Sequence, residues 1–253
     1  MLELRLIGLR GEREIGPGDD LIDWIAGLCA AQGVAFGEGD VLVLAQKIVS
    51  KSEGRRVALA QVEPSPPALR LAEVSGKDAR LAELILRESS EIVRATPQVV
   101  VARHRTGAVL ANAGIDRSNV RQDGGETVLL WPADPDASAL RLHRQASARF
   151  GCHLPVVIND SLGRAWRRGT VGTAIGAAGM ACLSDQRGRA DRHGYALVAT
   201  EVGAADELAA AASIVMGQAD ESIPAVLVRG ARYARADGRA ADLVRPLAQD
   251  LFR

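Results

Sequence analysis

The run Val41-Leu42-Val43-Leu44-Ala45 constrains the fold of this chain more than any other short segment. Five successive apolar residues, preceded by the turn-forming Gly37-Glu38-Gly39-Asp40, have the make-up of a strand buried on both faces. The run passes without a break into Gln46-Lys47-Ile48-Val49-Ser50-Lys51-Ser52-Glu53-Gly54-Arg55. Polar and charged groups are thereby delivered at the end of a buried strand, where open sheets commonly bind ligands. A solvated strand end with ordinary surface lysines has the same composition, so the segment alone leaves both readings open. Lysine stands only at 47, 51 and 77 among 31 basic residues, and a pair four residues apart is therefore notable.

Other elements follow from periodicity and punctuation. Leu2, Leu4 and Leu6 alternate with Glu3 and Arg5 as a first strand, and Asp19 or Asp20 caps a helix over Leu21 to Leu28. Pro64-Ser65-Pro66-Pro67 reads as a stiff linker, and residues 68 to 94 as two helices broken at Ser75-Gly76. Val99 to Ala102 and Ala108 to Leu110 form a hairpin turning at Arg105-Thr106-Gly107. Thr127 to Trp131 is a strand, Asp136 caps a helix from Ala137 to Phe150, and Val198 to Val202 is a further strand. Gly217 stops a helix from Ala204 to Met216 before the strand Ala225 to Gly230. Strands and helices interleave without the period of a doubly wound sheet. The expectation is a mixed α+β fold of two lobes, with the chain crossing between them near residues 64 and 132.

The stretch from Val157 to Gly179 is where chemistry is expected. An apolar run ends on adjacent Asp160 and Ser161, the cations Arg164, Arg167 and Arg168 follow, and glycines recur at 169, 172, 176 and 179. Oxygen ligands, fixed positive charge and bare backbone suit a polyphosphate and its metal ions. The same glycine spacing falls on one face of a helix, where it would let a neighbouring element approach closely. No GxGxxG and no GxxxxGK[ST] occurs, so neither the dinucleotide nor the P-loop fingerprint applies.

Bulk properties narrow the classes. The 31 basic and 31 acidic residues balance and aromatics are 3 %, which argues against nucleic acid as a partner. Cys29, Cys152 and Cys182 lack metal-ligand spacing and read as reduced residues of a cytoplasmic protein. Neither a signal peptide nor an apolar window long enough to cross a membrane is seen. None of the four histidines is assigned a role.

Together the segments resemble one family, the coenzyme F-420:L-glutamate ligases. The pieces that carry the resemblance are Pro17-Gly18-Asp19-Asp20-Leu21, Gln46 to Arg55, Asn112 to Val120, Asn159 to Arg164, Arg167-Arg168-Gly169, Gly172 to Gly176, and Met216-Gly217-Gln218 followed by Ile223-Pro224-Ala225. The resemblance implies a single catalytic unit over residues 1–253, in the stand-alone form without a following nitroreductase-like domain, and an intertwined homodimer. It implies GTP as co-substrate, two divalent cations (magnesium or manganese), a potassium ion, and glutamate with the coenzyme F-420 precursor as the groups joined.

Carried over residue by residue, Asp116 and Asp160 would share the first divalent ion, and Ser161 and Gln218 would hold the second. Gln218 stands where some members have glutamate, which would weaken that site. The nucleotide would meet Glu12, Arg13, Glu14, Ile15, Gln46, Lys47, Lys51, Asn119 and the loop Met216, Gly217, Gln218, Ala219, Asp220, Glu221, Ser222 and Ile223. Lys51 is the phosphate cation that would act beside Asp116 and Asp160, and Arg164, Arg167 and Arg168 are candidates for phosphate or substrate carboxylates. The implied reaction is a GDP-forming amide synthesis through an acyl phosphate. The alternatives are an amide ligase with another acceptor or amino acid, and a nucleotide-binding protein without catalysis, toward which neutral Gln218 points.

Overall fold

A computed structural model describes residues 3–118, 120, 122 and 125–250. In chain order its strands and helices are β1 (Arg5–Leu9), α1 (Leu21–Gln32), β2 (Val41–Ala45), α2 (Gln46–Ser52), β3 (Arg56–Ala58), α3 (Pro66–Ser75), α4 (Ala79–Glu88), β4 (Ser89–Thr96), β5 (Val99–His104) and β6 (Val109–Ala111). There follow β7 (Thr127–Leu129), α5 (Pro135–Phe150), β8 (Val156–Arg164), β9 (Arg167–Ala178), β10 (Leu183–Asp185), β11 (Glu201–Gly203), α6 (Ala204–Met216) and β12 (Ala225–Arg229). The mixed α and β expectation holds.

The central sheet has the order β1-β12-β2-β8-β9. Strand β2 is buried on both faces. Leu42 and Leu44 pack with α1 and α5 residues such as Ile25 and Leu142, while Val41 and Val43 pack with Ala209 and Met216 of α6. Alternation along the strand divides one apolar run between two cores. Strand β2 pairs with β8 in parallel, and the other pairings of this sheet are antiparallel.

Residues 56 to 129 build two smaller sheets, β4-β5-β6 and β3-β7. Ala68, Ile85, Val100 and Ala102 form one cluster of their own, and Leu59, Leu84 and Val128 another. The chain departs from the central sheet soon after α2, earlier than the prolines at 64 suggest. Pro66 and Pro67 occupy the first turn of α3 instead, where their missing N–H groups cost nothing.

Three local expectations are corrected. The glycines from 169 to 179 lie in or beside strand β9, not on a helix, because the segment folds back on β8 as a hairpin with Ala165 and Trp166 at its tip. Gly172 and Gly176 admit helices to the sheet. A Cβ at Gly172 would collide with the Ala209 carbonyl of α6, and one at Gly176 with the Pro135 carbonyl of α5. The second helix of the 68–94 region ends at Glu88, and Ile92 and Val93 belong to β4. Asp134, not Asp136, caps α5 by accepting the Ala137 N–H at 3.0 Å. Asp136 accepts the Ala177 N–H at 2.9 Å and the Ala240 N–H at 2.8 Å, tying β9 to the C-terminal segment.

Two helix expectations agree closely. Asp20 is the α1 cap, accepting from Ile22 and Asp23 N–H groups at 3.0 Å, and α6 spans the anticipated residues. The strand near 200 is confined to Glu201–Gly203. The three cysteines are free. Among the described residues no helix is long and apolar enough to cross a membrane.

Candidate functional site

Sheet register gathers the expected residues at one end of the central sheet. Ala45, the last residue of β2, stands beside Asn159 of β8, so the parallel pair delivers Gln46 and Asp160 next to each other. Leu9 of β1 pairs with Ala225 of β12, and Ala225 with Leu44. The loop after β1 and the loop before β12 therefore emerge at the same end. Carboxyl ends of parallel strands are a usual place for ligands in open sheets.

The result is a cleft of ≈ 720 Å³. Its walls include Glu12, Arg13, Glu14, Gln46, Lys47, Lys51, Asp116, Asp160, Ser161 and the whole loop from Met216 to Ile223. Asp116 comes from the smaller-sheet region. It is held against β7 by reciprocal backbone hydrogen bonds with Leu129 at 2.9 and 2.8 Å.

Two carboxylates in the cleft are in opposite electrostatic states. Asp116 pairs with Lys47 Nζ at 2.6 Å and accepts the Ser118 N–H at 2.9 Å and hydroxyl at 2.8 Å. Burial alone would raise its pKa, but Lys47 and Ser118 outweigh burial and hold it below the usual carboxylate range. Asp160 accepts the Trp131 indole N–H at 2.7 Å on Oδ2 and the Ser161 N–H at 2.8 Å on Oδ1. Burial pushes its carboxyl up, against the lowering effects of these donors and of Lys47, and the negative charge of Asp116 adds to the rise.

Lys51 is buried on α2 and pairs with Glu14 Oε1 at 3.0 Å. Glu14 also pairs with Arg56, and the two cations overcome burial to depress its pKa. Gln46 donates to Ser50 Oγ at 2.6 Å, while its buried Oε1 has no hydrogen-bond donor among the described residues. Gln218 is exposed, and its amide donates to Ser213 Oγ at 3.2 Å. Glu221 accepts the Ala219 N–H at 2.8 Å, folding the loop on itself.

Three expectations fall elsewhere. Ile15 is 2 % exposed and packs in the core, because an apolar side chain on this loop anchors it to α1. Arg164, Arg167 and Arg168 are exposed around the β8–β9 hairpin tip and do not line the cleft, since antiparallel pairing carries them beyond Ser161. Asn119 lies outside the described residues.

Trp24, Ser118, Asn159 and Thr170 also line the cleft without having been given roles from the sequence. Asn159 donates to Met216 Sδ at 3.4 Å and keeps a buried Oδ1 with no donor among the described residues. Its position beside Asp160 was the available signal. Trp131, by contrast, reaches the site through space from the end of its own strand region, which no spacing rule reveals.

Among the described residues no three His, Cys, Asp or Glu side chains form a metal cage. Two carboxylates, a hydroxyl and an amide oxygen around one cleft are of the kind that a hard divalent ion keeping waters and sharing its shell with phosphate would take. Each Asp160 oxygen receives one hydrogen bond and retains acceptor capacity, so the donor set fits such an ion.

Known proteins of one family are similar to this chain along almost its whole length. A family model described as F420-0:Gamma-glutamyl ligase matches residues 11–230. The chain is 46 % identical over 252 residues to a protein of Methanothermobacter thermautotrophicus named coenzyme F420:L-glutamate ligase, covering 99 % of each chain. Proteins of the same name from Methanopyrus kandleri and Archaeoglobus fulgidus are 44 % and 38 % identical, with 99 % and 100 % of this chain covered and 98 % and 97 % of theirs. With the match spanning all the cleft-forming segments, the chain belongs to the F420-0:gamma-glutamyl ligase family.

Proposed function

We propose that this protein joins L-glutamate through a γ-linked amide bond to the deazaflavin coenzyme F-420 precursor, cleaving GTP to GDP and phosphate. The observation that carries the reading is the convergence of Lys47, Lys51, Asp116, Asp160 and the 216–223 loop on one cleft, in a chain of this family.

An amide does not form efficiently from a carboxylate and an ammonium ion, so the acceptor carboxylate is activated first. Its oxygen attacks the γ-phosphorus of GTP, the bond to the β,γ-bridging oxygen breaks, and GDP leaves. The glutamate amine then attacks the acyl carbon, loses a proton, and expels phosphate. Transfer of this kind depends on positioning and charge neutralisation more than on covalent help.

The residues divide that work. Lys51, buried and at present paired with Glu14, supplies fixed positive charge, and an incoming phosphate would take the place of the Glu14 carboxylate. Lys47 bridges the lysine-bearing helix to Asp116. The 216–223 loop and Gln46 offer polar contacts to the nucleotide. Two divalent ions, magnesium or manganese, held by Asp116 with Asp160 and by Ser161 with Gln218, would neutralise the polyphosphate charge.

The proposal includes the homodimer. It is supported by the family resemblance, and the β8–β9 hairpin tip, where Trp166 is 88 % exposed among Arg164, Arg167 and Arg168, is a surface such an interface would cover. Light scattering on the purified protein distinguishes a dimer from a monomer.

The enzymatic test incubates the protein with GTP, magnesium or manganese, glutamate and the precursor. The expected outcome is a mass gain of one glutamyl unit with matching GDP release. Bound GTP without any mass gain would overturn the ligase reading in favour of nucleotide binding alone, and transfer to a different carboxylate would redirect it to another acceptor.

A further inference from the structure

Trp131 touches Asp160 and the backbone segment that leads to Asp116. It is 1 % exposed, and its indole N–H donates to Asp160 Oδ2 at 2.7 Å. Gly114, two residues before Asp116, lies against the same indole. An ideal Cβ there would stand 2.5 Å from Nε1 and 2.6 Å from Cε2. The ring thus sets how closely the Asp116 segment can approach the strand that carries Asp160.

The indole is itself held in place. His104, 1 % exposed, packs against it with ring centroids 4.8 Å apart. Arg55 Nε donates to the Trp131 carbonyl at 2.7 Å, and the same guanidinium donates to Glu88 at 2.9 Å. Arg105 also donates to Glu88, at 3.1 and 3.0 Å. A side chain clamped on ring and backbone is a fixed reference for what it touches.

We propose that Trp131 is the positioning residue of the acidic pair, orienting the Asp160 carboxylate through its N–H and setting the depth of the Asp116 segment through its ring. The inference rests on the divalent-ion reading above. Groups that orient metal-binding carboxylates typically change affinity by tens of fold when removed. Ring packing without the indole hydrogen bond would leave Oδ2 of Asp160 without that donor, the carboxylate then being held on Oδ1 by the Ser161 N–H.

The test measures manganese binding to the whole protein, without nucleotide, by the paramagnetic resonance of the free ion. Trp131→Phe keeps an aromatic ring and loses the N–H; Gly114→Ala keeps the N–H, presses on the ring and strains a left-handed backbone at φ +71°; Asp160→Ala is the control. Binding weakened roughly tenfold in Trp131→Phe and in Gly114→Ala is expected, with kcat at saturating manganese recovering more than the half-saturating concentration does. Loss of binding in Asp160→Ala with wild-type binding in Trp131→Phe would overturn the positioning role. Unchanged binding in Asp160→Ala would instead overturn the metal reading. If Trp131→Phe does not fold, the indole N–H resonance of Trp131 in 15N-labelled wild-type protein, assigned by elimination with Trp24→Phe and Trp166→Phe, provides the second readout. It should move on titration with magnesium, and a stationary signal while magnesium binds in an Asp160-dependent manner would overturn the proposal.

Discussion

Asp160 sits in the cleft under an electrostatic cost that Asp116 does not bear. Lys47 and Ser118 compensate Asp116, whereas burial and the charge of Asp116 both oppose ionisation of Asp160. A carboxyl whose folded-state pKa is raised loses stability as pH climbs from its unfolded value through its folded one, so ionised Asp160 weakens the fold at neutral pH. Replacing it with a neutral isostere removes that penalty. Asp160→Asn is therefore expected to unfold at the same temperature as wild type or higher, while glutamyl transfer falls by at least about 100-fold. Thermal melts and the mass assay check the two halves separately. A lower melting temperature would show that the carboxylate is a structural anchor rather than a site held ready for positive charge. Asp116→Asn tests the partner. It should lose transfer comparably but also lose stability, because Lys47 would be left half-buried without its anion.

Strand β9 owes its place between α5 and α6 to residues that have no side chain. Adding a methyl group at Gly176 or Gly172 drives it into a backbone carbonyl of the neighbouring helix, which neither rotamer change nor solvent can relieve. Gly176→Ala should cost about 2 kcal/mol or more, the range of overpacked cores, read by urea denaturation. An effect under about 0.5 kcal/mol would mean that the helix gives way freely. Glu88, the last residue of α4, ties together Arg55 after α2 and Arg105 in the β5–β6 turn. Burial would raise its pKa, but the neighbouring His104, Arg55 and Arg105 bring it down to about 2 from 4.5. With a depressed folded-state pKa, its contribution is complete above pH 4.5 and is lost as pH falls toward 2. Glu88→Gln should cost roughly 3 kcal/mol at neutral pH and flatten the fall in stability over that acid window, measured by denaturation at a series of pH values. These same elements show what a sequence discloses. The doubly buried β2, the Asp20 cap and the Ala204–Met216 helix were legible because composition and local capping decide them. The β8–β9 hairpin was not, since glycines at intervals of three and four satisfy a helical face as well as a strand crossed by two helices. The Asp134 cap was missed because two acids flank the same proline, and only tertiary contacts assign Asp136 to β9.

The cleft is assembled from parts of the chain that are remote in sequence. The loop after β1, helix α2, the Asp116 segment, β8 and the loop before β12 meet only when the central sheet and the smaller sheets are both formed. Periodicity could place each segment on a strand end, but it could not say that the ends coincide. That part of the site was legible only through the family resemblance, which did not reach Trp131 and which assigned to the nucleotide an Ile15 that packs in the core. Five separated walls also mean that a ligand of the whole cleft has no counterpart site in the unfolded chain. Binding must then stabilise the protein by mass action, by about 2.7 kcal/mol at a concentration one hundred times the dissociation constant. For a chain of 253 residues a non-hydrolysable GTP analogue with magnesium should raise the melting temperature by roughly 5–10 °C. Lys51→Met tests where that stabilisation arises. Its Nζ touches Glu14 at one wall, and its loss should remove most of the nucleotide-dependent shift while altering the ligand-free melting temperature far less. A full shift in Lys51→Met would place the phosphates away from α2, and an equal shift with the analogue in the absence of magnesium would remove the divalent ions from nucleotide binding.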